Sequence, residues 1–393
     1  ALLDRRGREL YLGPNLDLRA VFEGAALDAD HASEVYEATG HLPSFLLAPA
    51  RLLWFKAHSP RIYEEAAALL PIPDWAAFRL TGEKACEPCL AGEAGLLEVA
   101  SGAWARGLLQ RLGVRHDLLP PLRTAWEKRG HLSRGFAKTL GLPPGLPVVV
   151  AGPDTQCALL GMGCGGTGEA GIITGWSATV QWVLPRPVSD GARRTWAGLH
   201  LLPGRWVAEA SIGDAGNAYG WAKDVLVGPE ASFEEMGPRP LDLARPALGW
   251  GGLLLPVPLT FSGAGRGHLA RAALEGVAFA LGGAVERLQE VSGPPGRVAM
   301  GGGLVRSRLL PQVVAAVLGR EVEVSETPWT SALGAALVCF TVLGTFGFAE
   351  EAVSHARRWL RPLAAPPLER AQYREAYSRW RTALAHLDRM GGL

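Results

Sequence analysis

VVVAGPDTQCALLGMGCGGTGEAGIITGWSATVQWVL, residues 148–184, is the stretch on which the reading of this chain turns. Val148 to Val150 is a β-branched run bounded by Pro147 and Gly152, short enough to predict a buried strand. Asp154 stands where that strand gives way to an Ala/Leu/Gly-rich helix, Thr155 to Met162. Its carboxylate is placed to cap the helix while facing a crevice at the strand's carboxyl end. A second strand through Ile172 and Ile173 then runs into Thr174-Gly175-Trp176-Ser177 and the apolar run Val180 to Leu184. A tight polar turn between two such strands can aim backbone N–H groups at an anion.

A third piece lies far downstream: Val298-Ala299-Met300-Gly301-Gly302-Gly303-Leu304-Val305-Arg306-Ser307, followed by a helical segment to Leu318. Three glycines behind a strand let a flat ligand approach bare backbone, and Ser307 is a good N-cap for the next helix. Together these pieces resemble the FGGY family of carbohydrate kinases. Asp154 corresponds to the family's general base in "GxGD", and Gly175-Trp176-Ser177 to its phosphate turn "GTS". Arg271 to Phe279 (RAALEGVAF) matches "RAxxEGxAF", Gly301 to Gly303 the adenosine turn, and Ser331 to Ala336 "SALGAA".

The resemblance implies an α/β fold of two actin-like ATPase (ribonuclease H-like) domains facing one cleft. Residues 1–165 would form the acceptor side with the base, and 166–393 the nucleotide side with the terminal helices. It further implies ATP-dependent phosphorylation of a sugar or polyol hydroxyl. A hydroxyl is a poor nucleophile at neutral pH, and one buried carboxylate suffices as base for an aligned phosphoryl transfer. Asp154 would serve as that base, with Thr155 and Gln156 beside it on the substrate. Gly175, Trp176 and Ser177 would hold the terminal phosphates, Trp176 standing where the family has threonine, and Gly301, Gly302, Gly303 and Ser307 would bed the nucleoside. Mg²⁺ would bridge the phosphates, since the chain offers no cationic cluster to neutralise them. No metal-ligating residue is assigned. The family's opening "DxGTxxxR" has no counterpart before Leu2 or elsewhere, so the first domain is expected to be incomplete at its N-terminus.

Bulk properties bound the alternatives. With 393 residues, 48% of them apolar, the chain can bury a large core, and its length favours two domains. A formal charge of +1 gives no case for nucleic acid or an anionic membrane surface. No apolar run reaches the roughly 18 residues of a membrane helix, and no targeting signal is visible, so a cytoplasmic protein is expected. Five scattered cysteines point to reduced thiols. Cys86 and Cys89 have CxxC spacing and are either half of a zinc or redox site or two incidental thiols.

Residues 1–20 read as a hairpin around Asp4-Arg5-Arg6-Gly7, followed by Asn15-Leu16-Asp17-Leu18-Arg19, either a helix cap or a segment near the sugar. Leu46 to His58 resembles the family's first signature with Arg51 at the place of its lysine, and Pro73 to Gly82 resembles "DWxxxRLTG", with Trp75 and Phe78 expected in the core. Glu87-Pro88-Cys89 replaces the family's "DxS". Helices are expected over 103–112, 133–142, 212–223, 268–291 and 329–344, and strands over 195–209 around Pro203-Gly204, at 251–256 and at 321–324. The stretch 261–267 should be a loop. Arg271 and Glu275 form an i,i+4 pair, on the surface or in a site. The tail stripe Tyr373, Tyr377, Trp380, Leu384 and Leu387 is core or a homodimer surface. A silent paralogue that binds nucleotide or sugar, and an unrelated actin-like ATPase, remain as alternatives; the acceptor is open among ketopentose, polyol and glycerol.

Overall fold

The computed structural model describes residues 1–226, 228–230, 266–307 and 309–389. In chain order the strands among these residues are β1 (Leu2–Leu3), β2 (Glu9–Tyr11), β3 (Ala68–Leu69), β4 (Gly130–His131), β5 (Pro147–Val148), β6 (Glu169–Thr174), β7 (Ala178–Leu184), β8 (Trp196–Leu199), β9 (Trp206–Ser211), β10 (Arg297–Gly301), β11 (Val322–Ser325) and β12 (Leu360–Leu363). The last seven form one sheet in the order β12-β11-β10-β6-β7-β9-β8. Its centre is parallel, β10 lying between β6 and β11, and the flanking pairs are antiparallel. Burial on both faces explains the near-continuous apolar runs of β6, β7 and β10.

Successive residues serve opposite faces. Ile172, Val180 and Trp182 join the core beneath the helices Ala215–Leu226, Arg266–Ser292, Leu309–Leu318 and Pro367–Arg389. Ile173, Val183 and Val207 face the other way, onto Ala158, Leu159 and Met162. That second face is covered by the helix Asp154–Gly161, which crosses Thr330–Val342 at a point where only glycine fits. A Cβ on Gly334 would lie 2.6 Å from the Cys157 carbonyl carbon, so the "SALGAA" segment sets how closely Asp154's helix lies against its neighbour.

The first half is built differently. β2, β1 and β3 form a small antiparallel sheet, Leu2 pairing with Tyr11 and Leu69. The helices Val21–Thr39 and Ala48–His58 close over it around Leu52, Phe55 and Leu109. The buried strand expected at 148–150 is reduced to β5, paired only with β4. Proline at 147 removes a ladder donor and Gly152 turns the chain away at φ 101°. Trp75 and Phe78 pack half-buried against Leu3, Ala68 and Leu70 as expected.

The halves meet along the edge of the large sheet. Ala197 N–H donates to Gly40 O at 3.0 Å, Tyr36 Oη to Thr195 O at 2.7 Å, and Trp206 Nε1 to Val99 O at 2.7 Å.

The expected helices form at 106–111, 134–140, 215–226, 266–292 and 330–342, shorter or shifted at their ends. Gly251 to Pro256 and most of the expected loop 261–267 lie outside the described residues, as do Met390 and the Leu387 side chain. Arg271 and Glu275 are not a surface pair. Glu275 is fully buried; Arg271 Nε donates to Glu275 Oε1 at 3.0 Å, and the Tyr373 hydroxyl bonds both residues at 2.8 and 2.9 Å. This network ties the helix Arg266–Ser292 to the tail helix, whose Tyr373 and Tyr377 are core against Phe279. Glu275→Ala is expected to cost about 3–5 kcal/mol by removing the carboxylate from a buried charged group. Urea unfolding checks it; a loss under about 1 kcal/mol, the range of an exposed pair, would contradict the structural role.

Candidate functional site

Asp154 is the first residue of its helix, with Pro153, at φ −63° and ψ 148°, in the capping position. It is therefore not the N-cap expected from sequence. Among the described residues its Oδ1 accepts only from the neighbouring Thr155 N–H at 2.9 Å, and the residue is exposed. A carboxylate in a first helical turn sits in the favourable end of the helix dipole, yet here it is left open to the cleft.

That cleft is a cavity of about 970 Å³ into which both halves project. Asp154, Thr155, Glu209, Ser331 and Ala335 line it, together with Tyr11, Asn15, Arg51, Leu70 and Glu93. Gln156, expected on the substrate, does not line it: it is 3% exposed, and its Nε2 donates to Gln181 Oε1 at 3.4 Å. Gln181 Nε2 in turn holds Glu209 Oε2 at 2.5 Å. Sequence reading missed Glu93 and Glu209, because each lies in an unremarkable helix or strand and becomes a cavity residue only by packing. Partial desolvation within the cleft, with the charges of Glu209, Asp154 and Glu87 nearby, displaces the Glu93 carboxyl above the usual carboxylate range, although the residue is exposed to solvent. Burial also raises Glu209.

The two expected phosphate and nucleoside turns come together at the carboxyl ends of β6 and β10. Thr174 Oγ1 donates to Gly301 O at 2.8 Å. Gly175 N–H is closed onto Ser177 O, and Trp176 O accepts from Gly216 at the start of the helix Ala215–Leu226, both at 2.9 Å. The Gly175 N–H expected to meet an anion is thus used within the turn, and what the turn presents outward is Trp176, 80% exposed, and exposed Ser177.

The three glycines are not equivalent. A Cβ on Gly301 would meet Thr330 Cγ2 at 2.6 Å, and one on Gly302, at φ 100°, would lie 2.8 Å from the Thr174 backbone. Only Gly303 is exposed and open, its nearest atom being Thr174 O at 3.9 Å. Ser307 is buried and accepts from Leu310 N–H at 3.3 Å, which makes it the cap expected of it and withdraws its hydroxyl from the surface.

Behind the Asp154 turn lies a buried polar knot that the sequence did not disclose. Asp74 and Arg129, 0% and 1% exposed, pair at 2.6 Å, and Asp74 also accepts from Glu87 N–H. Glu87 caps the helix Pro88–Glu93 by accepting from Leu90 N–H at 2.9 Å. Cys86 and Cys89 are free buried thiols directed at different carbonyls, Glu87 O and Leu199 O. Asp17 likewise caps, accepting from Arg19 N–H at 3.1 Å.

Burial pushes the Glu87 carboxyl up to about 7. A folded-state value above the ordinary one means that Glu87 favours the fold below about 4.5, and that this contribution is lost as pH rises through about 7. Glu87→Gln, which keeps the capping oxygen, should flatten the fall in stability between pH 5 and 8. Denaturant midpoints at the two pH values test this; parallel losses in both proteins would exclude Glu87 as the source.

Among the described residues no group of three or more His, Cys, Asp or Glu is placed to hold a metal ion, and no helix is long and apolar enough to cross a membrane. The open Gly303 backbone beside the exposed 175–177 turn suits a nucleotide, whereas the described residues gather no ligand set for Mg²⁺.

Comparison with known proteins gives concordant results. Residues 16–161 match the profile of the N-terminal domain of the FGGY family of carbohydrate kinases, and residues 255–343 that of its C-terminal domain, together more than half of the chain. An autoinducer-2 kinase of Yersinia pestis (strain Pestoides F) is 28% identical, over 99% of this chain and 79% of that protein. The crystal structure of a xylulose kinase from Rhodospirillum rubrum superimposes with a TM-score of 0.80 at 26% identity, over 99% of this chain and 82% of that one. A xylulose kinase structure from Brucella ovis, at 23% identity, shares the fold with a TM-score of 0.84 over the same shares.

Proposed function

This chain belongs to the FGGY family of carbohydrate kinases, and we propose that it transfers the terminal phosphoryl group of ATP to a hydroxyl of a small sugar or polyol, with Asp154 as general base. It has the family's two-domain actin-like ATPase fold. The observation that carries the proposal is Asp154 itself: a carboxylate at a helix start, left open on the wall of a cavity of about 970 Å³, large enough for a small polyhydroxylated molecule.

In this reading the acceptor hydroxyl lies in the cavity within reach of Asp154. As its oxygen bonds to the terminal phosphorus, the bond from that phosphorus to the bridging oxygen breaks, and Asp154 takes the hydroxyl proton. ADP and a sugar or polyol phosphate leave. Thr155 lines the same wall and supplies a hydroxyl for the substrate. Ser177 and Trp176 would face the terminal phosphates, and Gly303 the nucleoside; Gly301, Gly302 and Ser307 act on the nucleotide only by shaping that turn. Kinases of this family use ATP, generally with Mg²⁺, which supplies charge neutralisation on the phosphates when bound. We also place the division between acceptor and nucleotide domains at residues 165/166, with the helix Asp154–Gly161 as the element that packs on both.

The experiment is ADP release measured against ketopentoses, pentitols and glycerol with ATP and Mg²⁺. Acceptor-dependent release is expected. Nucleotide binding with no release for any acceptor would favour a silent paralogue, and acceptor-independent release an ATPase.

A further inference from the structure

Trp329 serves neither the core nor its own helix. It is 66% exposed, more than any other described tryptophan except Trp176. It also holds the capping position of the helix Thr330–Val342 and makes no capping bond there. Serine, threonine, aspartate or asparagine would stabilise that position by accepting from the first N–H groups; an indole, a donor only, cannot.

What the position offers is a place beside the glycine turn. β10 and β11 run parallel as neighbours, Met300 opposite Val324, and their carboxyl ends are Gly301 and Ser325. Sheets of this kind receive ligands at that end. Thr330, 1% exposed, packs so closely on the turn that a Cβ on Gly301 would lie 2.6 Å from its Cγ2. Trp329 N–H donates to Thr327 Oγ1 at 3.2 Å, and the Ser325 hydroxyl donates to Thr327 O at 2.8 Å. The backbone of Trp329 is thereby fixed relative to the glycines on both sides. The single helical turn Gly303–Arg306 starts at the open glycine and ends on exposed Arg306, whose guanidinium carbon lies 5.4 Å from the centre of the Trp329 ring. One turn of helix thus joins the bare glycine backbone to a cation resting on an indole face.

A nucleobase has the matching chemistry, being flat and presenting a π-face that stacks on aromatic side chains. The guanidinium over the indole shows that a planar group can reach that face. No base fits between ring and guanidinium at the separation seen, so Arg306 leaves the ring as the base arrives. Resting on the reading of Gly303 as part of the nucleoside bed, we infer that Trp329 is the residue on which the base of the phosphate donor stacks, and that it selects purine over pyrimidine triphosphates. A purine covers more of an indole than a pyrimidine does.

The test is calorimetry on the full chain with ATP, CTP and inorganic tripolyphosphate, which carries the phosphates and no base. ATP is expected to bind more tightly than CTP. Trp329→Ala should weaken ATP at least about tenfold, the loss of one stacked base, and leave tripolyphosphate within about twofold. The ratio of ATP to CTP affinity should narrow with it. Trp329→Phe, which restores an aromatic face, should recover ATP affinity to within about threefold of the parent. In ADP-release assays KM for ATP should rise in Trp329→Ala while kcat and KM for the acceptor hold, the pattern of a residue that binds without touching the reacting atoms. Urea unfolding of both variants confirms that they are folded.

Unchanged ATP affinity in Trp329→Ala overturns the inference, as does an equal loss for tripolyphosphate, which would place the effect on the phosphates. A phenylalanine variant as weak as the alanine one overturns it too, and so does a parent chain that binds ATP and CTP alike. Binding of neither nucleotide overturns it together with the kinase reading. A chain that binds in this base-selective way but releases no ADP with any acceptor sinks the kinase reading alone.

Discussion

Replacing Asp154 by asparagine is expected to lower kcat by about two to four orders of magnitude, the range general-base catalysis contributes, while sugar and nucleotide affinities stay within a few fold. Asparagine keeps the size of the side chain and can still accept from the Thr155 N–H, Asp154's sole hydrogen bond among the described residues. The fold should therefore not register the change. The capping position belongs to Pro153, and the helix is held by its crossing of Thr330–Val342, so there is little structural role to lose. Single-turnover kinetics with calorimetry of each substrate decides the matter. A variant that turns over at near the parental rate would leave Asp154 as an ordinary first-turn carboxylate and remove the base from the mechanism.

Gly302→Val is expected to destabilise the protein by more than about 4 kcal/mol, a loss reserved for a few mechanisms of which two coincide here. Gly302 has φ 100°, a region closed to β-branched residues, and a Cβ would stand 2.8 Å from the backbone N and C of Thr174. A valine must either twist the turn or part β10 from β6, whose register runs through Gly301 and Ile173. Sequence alone suggests a different outcome, weakened ATP binding with the fold intact, because three glycines after a strand look alike. Gly303→Ala is the substitution that isolates the ligand effect, its Cβ meeting only Thr174 O at 3.9 Å. It should unfold like the parent and weaken ATP more than sugar. Parental stability in Gly302→Val would contradict the close approach, and unchanged ATP affinity in Gly303→Ala would take the glycine turn out of the nucleotide site.

What the sequence by itself determined is local. The alternation of β6 and β7, the turn at Gly175-Trp176-Ser177, the helix starting at Asp154 and the cap at Ser307 follow from neighbours within a few residues, where hydrogen-bond chemistry and side-chain period act directly. The order of these pieces along the chain was enough to indicate the family. Only the tertiary structure decided which of the pieces face the ligand. Gly301 and Gly302 are consumed by contacts with Thr330 and Thr174, residues distant in sequence, and Gly303 alone stays open. Asp74 pairs with Arg129 across 55 positions, and Glu275 meets Tyr373 across 98, so neither partnership leaves a trace in any window that sequence reading can scan. Glu93 and Glu209 became cavity walls because two halves of the chain fold against each other. Burial and the field of neighbouring charges belong to that arrangement and to no single segment.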